Sequence, residues 1–258
     1  MSDLHIETHG HGDRHLVLLH GWAMHGGIFA PLIEALADRC TMHVVDLPGH
    51  GHSRDSSLPL EANACASAIA AATPPALWLG WSMGGLVALA AAQARPDHVR
   101  GLAMLCSSPC LVRKPGWNRA VSAEIFDQFG ADLDQDFQVT LDRFLALEAQ
   151  GSDHAMQETR KLRAQLFSHG KPDARMLKQG LELLKNTDHR AGLATLELPS
   201  VWLAGARDRI VPWRAMQWAA EACGGQCVRV GHAAHAPFIG HVDEVVTGLQ
   251  SVLEMVDA

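Results

Sequence analysis

The sequence predicts an α/β fold, a doubly wound and mostly parallel sheet with a helical segment inserted late in the chain. Three observations predict it. Short apolar runs rich in branched residues recur between residues 15 and 105 and again between 200 and 230, each ending at Gly, Pro or polar turn residues. Strands buried on both faces read this way. Helical spacing separates successive runs, and strand–helix alternation is the mark of parallel crossover units. From about Leu111 to Lys185 the alternation stops, and apolar residues such as Leu141, Phe144, Leu145, Leu147, Leu162 and Leu166 fall at helical intervals among charges.

The elements follow in order. His15 to His20 reads as the first buried strand and Phe29 to Leu36 as a helix. A second strand, Thr41 to Leu47, stops at Pro48-Gly49-His50-Gly51. Ala76 to Gly80 is a strand, Leu86 to Ala94 an alanine-rich helix, and Val99 to Leu105 a strand again. The rhythm resumes with Ser200 to Ala204, a helix near Arg214 to Ala222, a strand at Gln226 to Val230 and an amphipathic helix from about Val242 to Val256. The chain therefore divides into a core, residues 1–110 and 186–258, and a helical cap, residues 111–185. The cap is expected to lie across the carboxyl edge of the sheet, where such folds bind ligands.

Composition narrows the function. Hydrophobic residues make up 48% and charged residues 19% of the 258, the balance of a globular protein. A formal net charge of −7 and the lack of any Lys/Arg block argue against nucleic acid as a partner. Met1 to Arg14 mixes acids and histidines without a basic stretch leading into an apolar one, so no export signal is expected. No run reaches the roughly 18 apolar residues of a membrane span. The six cysteines then read as reduced thiols of a cytoplasmic protein, and neither C-x3-C pair, Cys106/Cys110 or Cys223/Cys227, has the companions of a zinc site. The early histidines, His5, His9, His11 and His15, read as solvated turns. No metal or cofactor is expected, and a monomer is.

One motif carries chemistry. Gly80-Trp81-Ser82-Met83-Gly84-Gly85 is a G-x-S-x-G sequence between a strand and a helix. A serine held in a tight strand-to-helix turn needs small neighbours two residues to either side, and the turn lifts its hydroxyl above the sheet edge. A hydroxyl needs a base to take its proton. His235, in the loop Gly231 to Phe238 before the last helix, is the candidate, with His232 as its rival. The acid that orients the base is expected at the end of the preceding strand. Asp208 in Gly205 to Pro212 fits, although it could instead be a surface acid paired with Arg207 or Arg209, and Asp188 and Asp243 fit less well. The negative charge of a tetrahedral intermediate needs two fixed donors. The Met83 amide is one; the Trp22 amide, after His20-Gly21, is the other, unless Trp22 is only core packing.

These segments, with DLPGHGHS at 46–53, resemble the α/β-hydrolase superfamily along nearly the whole chain. More narrowly, LVLLHGW at 16–22, VDLPGHGHSR at 45–54, LWLGWSMGGLVA at 77–88, SSPC at 107–110, RFLALEAQG at 143–151, GLELLKNTD at 180–188 and AAHAPF at 233–238 look like the esterases that act on pimeloyl-acyl-carrier-protein methyl ester in biotin synthesis. The resemblance implies removal of a methyl group from a pimeloyl chain on acyl carrier protein. It also implies that Phe144, Leu145, Ala146, Leu147 and Glu148 contact the acyl chain, opposite Trp22, Ser82, Met83 and His235. Glu148 stands where the family pattern leads one to expect a neutral glutamine.

Arg143, Arg160, Lys161 and Arg163 give the insertion a basic face that would suit an acidic carrier protein. The same residues read equally as a solvated helix face balanced by Asp142 and Glu158. Two other enzyme readings keep the triad, a general short-chain carboxylesterase and a carbon–carbon bond hydrolase. A ligand receptor on the same fold is the non-enzyme reading.

Overall fold

The computed structural model describes residues 4–170 and 172–256; Lys171, inside the expected cap, and the extreme ends of the chain lie outside them. The chain opens with strand β1 (Ile6–His9) and β2 (Arg14–Leu19), followed by a single 3-10 turn and helix α1 (Ala30–Leu36). Then come β3 (Cys40–Val45), α2 (Ala62–Ala72), β4 (Ala76–Trp81), α3 (Met83–Ala94) and β5 (Val99–Leu105). Four helices stand between β5 and the next strand: α4 (Ala123–Gln135), α5 (Phe137–Ala149), α6 (Ala155–Leu166) and α7 (Ala174–Asn186). The chain closes with β6 (Ser200–Gly205), α8 (Trp213–Ala222), β7 (Gln226–Val230), the short α9 (Pro237–Gly240) and α10 (Val242–Val256).

The seven strands form one sheet in the order β1-β3-β2-β4-β5-β6-β7. All neighbours run parallel except β1, which pairs antiparallel with β3 at one edge. β4 and β6 are buried at every position, as apolar strands covered by helices on both faces must be. The edge strands are half exposed and carry the polar residues that an edge needs. α3 is buried from Met83 to Ala92, and its small side chains let it lie close against the sheet.

This strand order places the site. From β2 the chain goes to β3 on one side, then returns to β4 on the other. The carboxyl ends of β2 and β4 therefore flank the point where the winding reverses, which is where open parallel sheets leave a crevice. The loop Gly21-Trp22 leaves β2 and Ser82 leaves β4 at that crevice.

Two of the inserted helices are bonded to the loops at this crevice. The Trp22 indole N–H donates to the Leu177 carbonyl of α7 at 2.7 Å, and the His235 amide donates to the Glu148 carbonyl of α5 at 3.0 Å. Asp136 caps α5 by accepting from the Val139 amide at 3.0 Å, and Asp173 caps α7 by accepting from Arg175 at 2.7 Å.

The structure differs from the sequence reading near the start. The early histidines are not all in turns: His9 belongs to β1, and His15 belongs to β2, where its Nδ1 lies 3.0 Å from Nε2 of His43 on β3. The polar strand IETH has no apolar run to announce it; pairing with β3 supplies what its own side chains do not. α2 was not expected either, because a run of alanines presents little contrast between its faces.

Candidate active site

Ser82 sits between the end of β4 and the start of α3 with φ 52° and ψ −117°, a backbone conformation that side-chain-bearing residues seldom adopt. The packing around it explains the glycines. A Cβ at Gly80 would come within 2.5 Å of the Gly85 backbone, and one at Gly84 within 2.3 Å of the Leu19 carbonyl oxygen. The strained turn is held from both sides: the Ser82 amide donates to the Leu105 carbonyl at 3.0 Å, and the Ser107 hydroxyl donates to the Ser82 carbonyl at 2.6 Å.

The turn brings Ser82 Oγ to 2.8 Å from His235 Nε2, and His235 Nδ1 lies 2.7 Å from Asp208 Oδ2. A carboxylate can only accept, so Nδ1 carries the proton and Nε2 offers its lone pair to the serine hydroxyl. Asp208 is held by its other oxygen, which accepts from the Ile210 and Val211 amides at 2.8 and 3.0 Å. The His235 loop is tethered by its amide to α5 and by its carbonyl to the Trp81 indole N–H at 2.8 Å. The imidazole and the Asp208 carboxylate are both completely shielded from solvent.

The rivals are placed elsewhere. His232 is exposed, with Nδ1 against an Arg207 guanidinium nitrogen at 2.9 Å. Arg207 also donates to the Gly151 carbonyl at 2.9 Å. Asp188 is engaged by Arg190 at 2.8 Å, and Asp243 sits in the first turn of α10.

The two amides expected to receive an oxyanion are left unpaired among the described residues. Met83 is the first residue of α3, so its N–H has no partner within the helix. The Trp22 amide, like that of Met83, donates to no acceptor in the loops, caps or side chains of the described residues. Sequence reasoning missed what holds the Trp22 loop. The buried His20 ring bonds the Gly21 carbonyl through Nδ1 at 2.8 Å and accepts the Leu47 amide at Nε2, 2.9 Å away. Burial, followed by the nearby His50, pushes the His20 imidazole down to about 3, so it stays neutral in the tautomer that both bonds require. Asp46 anchors the neighbouring loops by accepting from the Gly26 and His52 amides at 2.7 and 2.8 Å.

Comparison with known proteins gives the family. The sequence pattern of the alpha/beta hydrolase fold matches residues 14–242. The chain belongs to the α/β-hydrolase family. Among curated relatives, pimeloyl-[acyl-carrier protein] methyl ester esterase of Stenotrophomonas maltophilia (strain R551-3) is 55% identical over 96% of this chain and 95% of its own. The enzyme of the same name from Xanthomonas oryzae pv. oryzae (strain MAFF 311018) is 52% identical over 96% and 97%. Among solved structures, the bromoperoxidase of Bacillus anthracis superposes with a TM-score of 0.88 at 19% identity, covering 97% of this chain and 95% of that one. At that identity the likeness concerns the fold.

In this hydrolase, Trp22 lies in an aromatic group. Its ring is 4.7 Å from Phe144 and 6.4 Å from Phe129, in tilted or edge-on contact. Of the segment Phe144 to Glu148, α5 buries Phe144, Leu145 and Glu148, leaves Leu147 half-buried and exposes Ala146. One helix face accounts for this, since only residues three or four apart share a side.

Glu148 is 1% exposed, and neither carboxyl oxygen has a hydrogen-bond partner. Burial, then the charge of Asp208, raises its carboxyl well above the ordinary 4.5, which keeps the proton on the folded enzyme. Neutral Glu148 thus approximates the glutamine that family resemblance led one to expect. The unfolded chain ionises near 4.5 while the folded one holds its proton, so stability falls by about 1.4 kcal/mol per pH unit between the two values. Glu148→Gln is expected to remove that slope and to be the more stable form at pH 8, with the two proteins converging towards pH 4.5. Urea unfolding across that range checks it, and parallel curves for the two proteins would contradict it.

Arg143, Arg160, Lys161 and Arg163 are exposed. Arg143 is 3.6 Å from Asp132 and Arg163 is 3.2 Å from Asp142. Arg160 and Lys161 have no ion-pair partner among the described residues. Glu158, expected to balance them, is instead fully buried.

Proposed function

We propose that this chain is a serine carboxylesterase that hydrolyses the methyl ester of a pimeloyl chain borne on acyl carrier protein, releasing methanol and the free carboxylate for biotin synthesis. The observation that carries hydrolysis is the unbroken relay from Ser82 Oγ through His235 to Asp208, at 2.8 and 2.7 Å. The names of relatives more than half identical to this chain support the substrate. In this reading residues 111–185 act as a cap on a core of residues 1–110 and 186–258.

Ser82 Oγ attacks the ester carbonyl and passes its proton to His235 Nε2. The oxyanion that forms is met by the Met83 and Trp22 amides, the first reinforced by the amino end of α3. Collapse breaks the carbon–methoxy bond, and the imidazolium gives its proton to the departing methoxide. Water, deprotonated by the same histidine, then cleaves the acyl-serine and restores the hydroxyl. Asp208 holds the imidazole in register and balances its charge. Trp22, Phe129 and Phe144 offer an apolar lining to the methylene chain. The scheme uses no metal or cofactor, and reduced thiols and a carrier-bound substrate suit the cytoplasm.

Steady-state hydrolysis of the carrier-bound methyl ester, beside p-nitrophenyl esters of graded length, tests the reading. A higher kcat/KM on the carrier-bound ester is expected. Equal rates on every ester would point to a general carboxylesterase, and preferential cleavage of a β-diketone to a carbon–carbon hydrolase. The carrier also provides a charge test. Reversing Arg160 and Lys161 to Glu should raise KM for the carrier-bound ester on the order of tenfold, with kcat changed little, because exposed charges act mainly on encounter. Added salt should move the unaltered enzyme the same way. A small free methyl ester should be hydrolysed alike by both; slowing of both substrates would locate the damage in the pocket.

A further inference from the structure

Away from Ser82, four side chains with metal-binding chemistry converge where the insertion meets the core. Asp153 and His154 lie at the amino end of α6, Glu158 lies one turn into that helix, and His241 is the single residue between α9 and α10. His241 Nε2 is 2.9 Å from Asp153 Oδ1, and His154 Nε2 is 3.7 Å from the same oxygen. The donor atoms of Asp153, His154 and His241 all fall within 4.8 Å of one another. Tetrahedral zinc with bonds of about 2.0–2.1 Å places its ligand atoms roughly 3.3 Å apart, so the observed separations bracket that spacing.

The buried half of the cluster is incompletely satisfied. His241 is 8% exposed, yet neither ring nitrogen makes a well-aligned hydrogen bond, including Nε2 at its short approach to Asp153. Glu158 is fully buried; Oε1 accepts from the Ser152 hydroxyl at 2.7 Å, and Oε2 has no partner. Oε1 lies 3.8 Å from His241 Nδ1, on the far side of the ring from Asp153. Histidine metal ligands usually donate their second ring N–H to a carboxylate, and closure of the 3.8 Å gap to Glu158 would give His241 that support while Nε2 faces Asp153 and His154. Gly240 makes room for it, since a Cβ there would stand 2.5 Å from Glu158 Oε1 and 3.1 Å from His154 Cβ.

We infer that Asp153, His154 and His241 form a binding site for a divalent transition metal of the zinc class, with Glu158 orienting His241 from behind. Two imidazoles and one carboxylate favour zinc over calcium or magnesium, which prefer all-oxygen shells. Three protein ligands leave a fourth position for water. The ion joins α6 to the α9–α10 corner, and so ties the inserted helices to the sheet domain. Its ligand Asp153 is also bonded to the loop that carries His235, through an amide donating to the His232 carbonyl at 3.3 Å. Its role is to fasten, and hydrolysis at Ser82 proceeds without it. The site stands independently of the substrate assigned above.

The test uses the full chain, stripped with a chelator and titrated with Zn²⁺ by equilibrium dialysis with metal analysis, and with Co²⁺ by absorption. One ion per chain at micromolar or tighter affinity is expected, with Co²⁺ giving the intense visible bands of a four-coordinate site. His154→Gln, at the exposed rim, and His241→Gln should each weaken binding at least ~100-fold, and Glu158→Gln roughly 10–100-fold. Zinc at about 100 times its Kd should raise Tm by roughly 5 °C or more in the unaltered protein and not in His154→Gln. Hydrolysis of a small ester should be the same in the stripped enzyme, the zinc-loaded enzyme and His154→Gln. Stoichiometric binding that survives both histidine substitutions would put the ion elsewhere and overturn the site. Lack of binding at micromolar metal would leave the cluster as an ion pair and overturn it equally.

Discussion

Ser82→Ala is expected to lower kcat by up to ~10⁶-fold while leaving the fold in place. The substitution deletes the nucleophile and one hydrogen bond to His235, whereas the Ser82 amide and carbonyl bonds that hold the turn belong to the backbone and persist. The protein should therefore keep its Tm within a few degrees, still bind the carrier-bound ester, and lose labelling by a fluorophosphonate. Activity within tenfold of the unaltered enzyme would remove Ser82 from the mechanism. Labelling that moved to another serine would show which residue replaces it.

Asp208→Asn should cost about 10⁴-fold in kcat. The structure says why an isosteric change does so much. The Ile210 and Val211 amides demand an acceptor at Oδ1. They would fix the asparagine oxygen there and turn its NH₂ group towards His235 Nδ1. That nitrogen would then have to accept, which puts the ring proton on Nε2, where it faces Ser82 and can no longer take a proton. His235→Ala should fall at least as far, and His232→Ala should stay near normal because its ring is out on the surface with Arg207. Comparing kcat for the three variants on one ester checks the assignment, and a severe loss in His232→Ala alone would reverse it.

The parts of this molecule that were legible in the sequence are those where local chemistry and burial agree. LVLL, ALWL and SVWLA announce central strands because both faces of each are covered. Gly80 and Gly84 mark the serine turn because backbone approaches within 3 Å allow no side chain. What depends on partners far along the chain was not legible. β1 exists through its pairing with β3, and His20 matters through Leu47, 27 residues on. The resemblance places Glu148 against the acyl chain; only the fold shows its carboxyl fully buried with neither oxygen paired. The convergence of His154 with His241 was equally hidden, since nothing in their spacing suggests that they meet.

Trp22 joins two duties in one residue. In the proposed mechanism its amide receives the oxyanion, and its indole is bonded to α7 and packed against Phe144 of α5. Ser82 is only 5% exposed and His235 fully covered, so in the proposed mechanism an ester reaches the serine only if groups packed over it, such as the indole and the helices it touches, give way. Opening and closing of this kind belong to the microsecond-to-millisecond range and set an upper bound on turnover. In that case an acyl chain lying against Trp22, Phe129 and Phe144 would take over contacts that hold Trp22 in place, and with them the position of its amide. Any discrimination by length in such an arrangement would be expressed in the rate of the chemical step as well as in the tightness of binding.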